Sequence, residues 1–229
     1  MAISTDSKQR LLDAAEKLFA ENGFEATSLR QITNAAGANL AAVNYHFGSK
    51  DGLIDAVFER YLRPINAERL RMLDEVESVA RGSTLEDVVM AFVAPPFRLR
   101  HSHQQHAELT LKLYGRAHAA PNSRAHEIFA RQFESVRRRF TRALARVLPE
   151  LPKKELYWRM HFMIGTMAQT MAVPERLKVL SGGTVDAHDI DGTLTRLVQF
   201  LAGGLRAPLS NAPRRDGSHR GARSPRRRP

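Results

Sequence analysis

The chain has 229 residues, is 43% hydrophobic and carries a formal net charge of +11. That is enough apolar material for one large or two small packed domains, and too much for a wholly disordered chain. No cysteine is present, which excludes disulfides, a thiol nucleophile and cysteine-ligated zinc and fits a reducing cytoplasm. The start "MAISTDSKQR" turns polar at once, and no run approaches the roughly 18 apolar residues of a membrane span. The expectation is a cytoplasmic protein with no membrane partner. The charge is uneven: residues 207–229 hold seven Arg against one Asp, whereas residues 1–50 carry five basic and five acidic residues. Any case for an N-terminal polyanion site must therefore come from pattern.

In chain order, nearly every segment repeats with a period of about 3.6 residues, and none alternates usefully with period two. Leu11, Leu12, Ala15, Leu18 and Phe19 line a first helix that stops at Asn22-Gly23. Ser28 and Gln31 have capping-box spacing for a second helix with Leu29, Ile32 and Ala36 inward, closed by Gly37. A short third helix turns Leu40, Val43 and Phe47 inward. Ser49 caps a long fourth helix, Asp51 sits in its first turn, and Pro64 is expected to bend it or end its first half. Ser83 and Glu86 are spaced as a capping box for a fifth helix that stops at Pro95-Pro96. A sixth carries Leu109, Leu113 and Ala117; a seventh carries Phe129, Phe133, Val136, Phe140, Leu144 and Val147. The eighth has two stripes, Leu156–Met160–Met163–Met167–Met171 and Trp158–Phe162, so it needs cover from two directions. Ile190, Leu194, Leu197, Leu201 and Leu205 mark a ninth. The fold class is all-α: a three-helix head over 1–48, a bundle over 49–206, and a basic, aperiodic tail over 207–229 expected to be disordered.

Helices two and three, joined through Gly37, have helix-turn-helix spacing. With Leu40, Val43 and Phe47 inward, the outward set is Asn39, Ala41, Ala42, Asn44, Tyr45 and His46. Small and polar residues suit a helix in a major groove, where Asn can bond base edges and Tyr or His the backbone. Lys50 adds a cation at the N-terminus of the fourth helix, where free N–H groups favour phosphate. Periodicity alone fits an ordinary helical hairpin with a polar outer face equally well.

The stretch "RLLDAAEKLFAENGFEATSLRQITNAAGANLAAVNYHFGSKDGL" resembles the DNA-binding head of TetR-family transcriptional repressors. Its "AA..LF...G", "T.LR.I...AG" and "HF.SK..L" signals make the match dense over residues 10–58. The resemblance implies DNA contacts from Thr27, Ser28 and Arg30, from Asn39 to His46, and from Lys50. Most members have Thr-Leu-Tyr where this chain has Ala42-Val43-Asn44, which leaves Tyr45 as the candidate for the usual tyrosine contact. "NLAAVNYHFGSK" together with "LPKKELYWRMHFMIG" is similar to the PsrA-like branch, which implies sensing of long-chain fatty acids.

The resemblance further implies a homodimer paired through the last two helices, with Trp158, Phe162, Met163, Met167, Leu194, Leu197 and Leu201 as candidate interface residues. A dimer would set two recognition helices about one DNA turn, ~34 Å, apart on a palindromic operator of double-stranded DNA. A small hydrophobic effector would sit among helices four to seven, against Phe58, Leu62, Phe92, Leu109, Leu113, Phe129 and Phe133. Arg116 or Lys112 would stand at the mouth for a carboxylate. Such stripes serve equally as plain core. His101, His103 and His106 in "HSHQQH" have conceivable metal spacing but read better as solvated histidines, so no metal, cofactor or catalytic residue is assigned. Three other readings stand beside this one: a sensor of aromatic drugs within the same family, a helical enzyme built on the histidines, and a non-specific nucleic-acid-binding protein driven by the arginine tail.

Overall fold

Short polar devices start and stop the helices of the head, and longer apolar faces hold the rest. The computed structural model describes residues 5–80, 82–102, 113, 123–172, 174–186 and 189–209. Among these described residues are nine helices and no strand. They are α1 (Thr5–Asn22), α2 (Leu29–Ala36), α3 (Leu40–Phe47), α4 (Lys50–Ser78), α5 (Leu85–Ser102), α6 (Arg124–Val147), α7 (Lys153–Ala172), α8 (Pro174–Leu180) and α9 (Ile190–Arg206). The helix expected around Leu109 and Ala117 lies outside the described residues apart from Leu113, which is buried. The periodicity did not reveal α8, whose Val179 and Leu180 are exposed.

Several expected punctuation marks are where the sequence put them. Ser28 and Gln31 complete a reciprocal capping box, and Gly37 ends α2 in the left-handed region at φ 57°. Ser49 caps α4 by accepting from Gly52 N. Two expectations are corrected. The cap of α5 is Thr84 with Asp87, one residue later than Ser83 with Glu86: Asp87 N donates to Thr84 Oγ1 at 3.1 Å and Thr84 N to Asp87 Oδ2 at 3.3 Å. Ser83 instead donates to Val76 O at 3.1 Å.

The second correction concerns the prolines. α5 does not stop at Pro95-Pro96 but continues to Ser102. A proline has no N–H, so Pro96 leaves the Phe92 carbonyl without its helical donor. Arg69, buried on α4, fills that role by donating from Nε to Phe92 O at 2.8 Å. Its guanidinium lies 4.5 Å from the Phe92 ring centroid and 5.5 Å from that of Phe133, which helps to hold the charge in an apolar setting. α4 also passes through Pro64 unbroken; that proline faces solvent, where water can take up the freed carbonyl.

Two apolar cores result. One joins α1, α2 and α3 to the first half of α4 and to Leu113, Ala125, Ile128 and Phe129. The other joins the rest of α4 with α5, α6, α7 and α9. Rings bridge them: Phe58 to Phe129 at 5.6 Å, Phe129 to Phe133 at 6.3 Å and Phe133 to Phe92 at 6.1 Å between centroids. Polar contacts along the outside show that α4 and α6 run parallel, away from the head. Asp51 meets Arg124 at 2.9 Å, Asp55 meets Arg131 at 3.2 Å and Asp74 meets Arg139 at 2.5 Å. Each such exposed pair contributes about 1 kcal/mol or less, so the ladder sets register more than stability.

Candidate nucleic-acid interface

The α2–α3 pair is held from beneath by α1. Arg10 Nε donates to Ala36 O at 3.0 Å, which secures the end of α2. Ser7 Oγ and His46 Nε2 lie 2.9 Å apart in a hydrogen bond that secures α3. Asn39 caps α3, accepting from Ala42 N at 2.9 Å. Val43 is fully buried, and Ala42 and Phe47 are half-buried against the head core. Outward stand Asn39, Ala41, Asn44 and Tyr45, the last 79% exposed. Arg30 and Ser28 are exposed on the same helix pair. Together these residues form one polar face with a single aromatic ring projecting from it.

Five positions differ from expectation. Thr27 is fully buried: its hydroxyl donates to Gly23 O at 2.7 Å and lies 3.2 Å from Leu18 O. It braces the α1–α2 turn and offers nothing to an external ligand. Leu40, expected inward, is 52% exposed. It occupies the first turn of α3, ahead of the Val43 anchor, and joins the outer face. Ala42 turns partly inward. His46 is half-buried and engaged by Ser7. Lys50 is half-buried and reaches Glu25 O at 3.4 Å, which places its charge beside the α1–α2 turn. Only cap positions, which decide where a helix begins, could have flagged Leu40 in advance.

The connection from this face to the bundle is short. Gly48, at φ 74°, closes α3, and Ser49 immediately opens α4. A Cβ on Gly52 would fall 1.9 Å from Phe47 O, so only glycine lets α3 end against the first turn of α4. Lower down, Arg60 of α4 meets Asp13 at 2.6 Å and the buried Glu16 at 3.3 Å, both on α1. Burial, and next the Glu16 carboxylate, push the adjacent Tyr61 hydroxyl well above its ordinary range.

The bundle offers a second open face. On α7, Trp158 is 54% and Phe162 60% exposed, with ring centroids 5.9 Å apart. On α9, Phe200, which the periodic reading passed over, is 71% exposed. Arg159 of α7 donates to Leu205 O at 2.8 Å and Ala207 O at 2.6 Å, capping the end of α9. The other candidate interface residues require correction. Met163, Met167, Leu194, Leu197 and Leu201 are buried within the single chain, because the Met stripe of α7 and the Leu stripe of α9 already face the core.

Of the candidate effector-site residues, Phe58, Leu62, Phe92, Leu113 and Phe129 are buried and Phe133 is half-buried. Among the described residues they form the packed run of rings that bridges the two cores. Leu109, Lys112 and Arg116 lie outside the described residues, as do the His101, His103 and His106 side chains. No helix among the described residues is long and apolar enough to cross a membrane.

A helix-turn-helix head on an all-helical bundle defines a class of regulatory proteins. Two family models resolve the class further: "Bacterial regulatory proteins, tetR family" matches residues 11–57, and "Tetracyclin repressor-like, C-terminal domain" matches residues 90–204. The chain belongs to the TetR family of transcriptional regulators.

Among curated relatives, it is 40% identical over 80 residues to the nicotine-responsive repressor HdnoR of Paenarthrobacter nicotinovorans, covering 34% of this chain and 41% of that protein. It is 34% identical over 95 residues to the repressor KstR2 of Mycobacterium tuberculosis, covering 42% and 45%. The chain thus spans less than half the length of these relatives. Solved structures extend the likeness of fold over most of the chain. The fatty acid degradation regulator FadR of Bacillus halodurans gives a TM-score of 0.58 at 15% identity, over 88% of this chain and 97% of that one. FadR of Bacillus subtilis, in complex with stearoyl-CoA, gives 0.55 at 16% identity, over 86% and 98%.

Proposed function

We propose that the chain is a dimeric, ligand-responsive repressor that binds a palindromic DNA operator and leaves it when an apolar effector enters the bundle. The observation that carries this reading is the outer face of α2–α3. Asn39, Asn44 and Tyr45 stand free of the core there, on a helix pair anchored by Val43 and by α1. Asn44 can read base edges, Tyr45 and Arg30 suit phosphates, and Leu40 can meet a thymine methyl group. Trp158, Phe162 and Phe200 form the pairing face of the dimer. Covering such rings stabilises association by several kcal/mol, at roughly 25 cal/mol per Å² of apolar surface buried.

The effector is an acyl chain, a long-chain fatty acid or its thioester, which parts the ring series around Phe58, Phe129 and Phe133. The family resemblance to a fatty-acid-responsive branch and the fold shared with a stearoyl-CoA-binding regulator support that choice. Each buried CH₂ contributes roughly 0.8 kcal/mol to binding. A shift of α4 carries through Gly48-Ser49 to α3 and respaces the two heads. The effector acts only through its preference for the respaced geometry, since equal affinity for both states shifts nothing.

The test begins with selection of bound sequences from random duplexes, followed by affinity measurements across salt. Tyr45→Ala is expected to weaken operator binding about tenfold, or ~1.4 kcal/mol. Lys50→Ala should make the salt slope shallower by about one. Normal values for both variants would remove the head from the interface. Palmitate or its thioester should release the operator; release by flat aromatic compounds alone would favour the aromatic-ligand sensor.

A further inference from the structure

We infer that Arg60 is a positioning residue for DNA binding: it sets the angle at which the head leaves α4, and so the half-site separation that the protein accepts. The inference rests on the reading of the head as the operator-binding end of a dimer. It begins with an acid where the pattern asks for an apolar residue. Leu11, Leu12, Ala15, Phe19 and Ala20 make the buried face of α1, and Glu16 lies among them, 3% exposed. An ionised carboxylate in such a place is costly unless a cation and hydrogen bonds compensate it.

Arg60, on α4, supplies that compensation. Its Nη1 lies 2.6 Å from Asp13 Oδ1 and 3.3 Å from Glu16 Oε2, so a single nitrogen bridges two acids of α1. Burial, and next Glu16, hold the neighbouring Tyr61 hydroxyl in its protonated form, so no further negative charge joins the seam. The surrounding contacts between α1 and α4 are apolar, among them the Phe24 and Phe58 rings at 5.3 Å. Apolar contact is non-directional and tolerates small shifts of one helix on another. A nitrogen shared between two carboxylates is satisfied in one register, which is the best-attested use of a buried charge.

The clamp stands away from the junction of α3 with α4. From Gly52 to Arg60 α4 advances ~12 Å, at about 1.5 Å per residue. The head is thus tied to α4 at two heights, where α3 ends against Gly52 and where α1 meets Arg60. Two ties fix an angle where one would leave a pivot. From α1 the constraint passes to the reading face through Arg10, which holds Ala36 O on α2, and through Ser7, which holds His46 on α3. In a dimer this angle becomes a distance. Base pairs follow one another every ~3.4 Å, so a shift of each head by ~1.7 Å changes the preferred half-site separation by one base pair.

The test uses the full chain, a Glu16→Gln/Arg60→Gln variant and an Arg60→Lys variant. The double variant removes both charges together and leaves no buried carboxylate without its cation. Arg60→Lys keeps a point charge, which suffices where one nitrogen serves both acids. Duplexes carry the selected half-site either once or as an inverted pair whose separation is changed one base pair at a time. The full chain is expected to prefer one separation over its neighbours by about tenfold, and the double variant by about threefold or less. The double variant should bind the single half-site as the full chain does, because that contact needs only one head. Arg60→Lys should retain the preference of the full chain. An undiminished preference in the double variant overturns the proposal. So does an equal loss at the single half-site, which would mean that the clamp only stabilises the head, and so does a full chain indifferent to separation. Failure of the head reading is separate: the full chain would then show no sequence preference in the random-duplex selection.

Discussion

The outer face of α3 and the outer face of α7–α9 are both surfaces that the single chain leaves open, and they are built in opposite ways. The first is short, polar and rests on one fully buried side chain, Val43. The second carries Trp158, Phe162 and Phe200 above a continuous buried stripe of Met and Leu. A polar face loses little by facing water, so its partner can come and go. A face of large rings gains free energy when it is covered. The contrast suits one reversible contact and one lasting one, and each face has a support that can be removed separately.

The largest expected effect comes from beneath the polar face. Gly52→Ala places a methyl group against the Phe47 carbonyl and should cost about 3 kcal/mol, read as a lower Tm. DNA binding should be lost more completely than helix content. Next, Phe200→Glu on the apolar face should weaken self-association about 100-fold, or ~2.7 kcal/mol, in sedimentation equilibrium, with the monomer's fold retained. An unchanged dimer would move the pairing surface elsewhere.

Arg159→Met removes the donor that caps α9 and should cost roughly 1–2 kcal/mol, with faster amide exchange near the end of that helix. The smallest effect is a pH dependence. The Arg206 guanidinium holds the Glu86 carboxyl below its usual 4.5. This pair therefore stabilises the fold above that value and ceases to do so as pH falls through the lowered one. Both side chains are about half exposed, so Glu86→Gln should change the acid limb of a stability–pH curve by only a few tenths of a kcal/mol.

The head was legible in the sequence because its signals are local. A capping box at Ser28 and Gln31, a left-handed glycine at 37 and a cap at Ser49 each act within four residues, and each is found in place. Thr27 shows where such reading ends. A hydroxyl beside a cap looks available in sequence, yet two carbonyls of the preceding turn enclose it. In the bundle, periodicity located α6, α7 and α9 but could not say which apolar stripe another helix of the same chain would cover. Met163 and Trp158 are equally apolar in pattern, yet one is buried and the other 54% exposed. That difference is decided by long-range packing of α7 against α6 and α9, which no local signal encodes.

Arg69 gives the long helix a further property. α5 does not satisfy its own backbone at Phe92; the missing donor arrives from α4. The two helices are therefore joined as a key is to a lock rather than as two rods in contact. A slide of α4 by even one residue, ~1.5 Å, would withdraw the guanidinium and leave the Phe92 carbonyl without a donor. Small displacements are resisted, and a displacement large enough to be tolerated must carry α5 along. Any shift of α4 that keeps this bond therefore moves α5 with it.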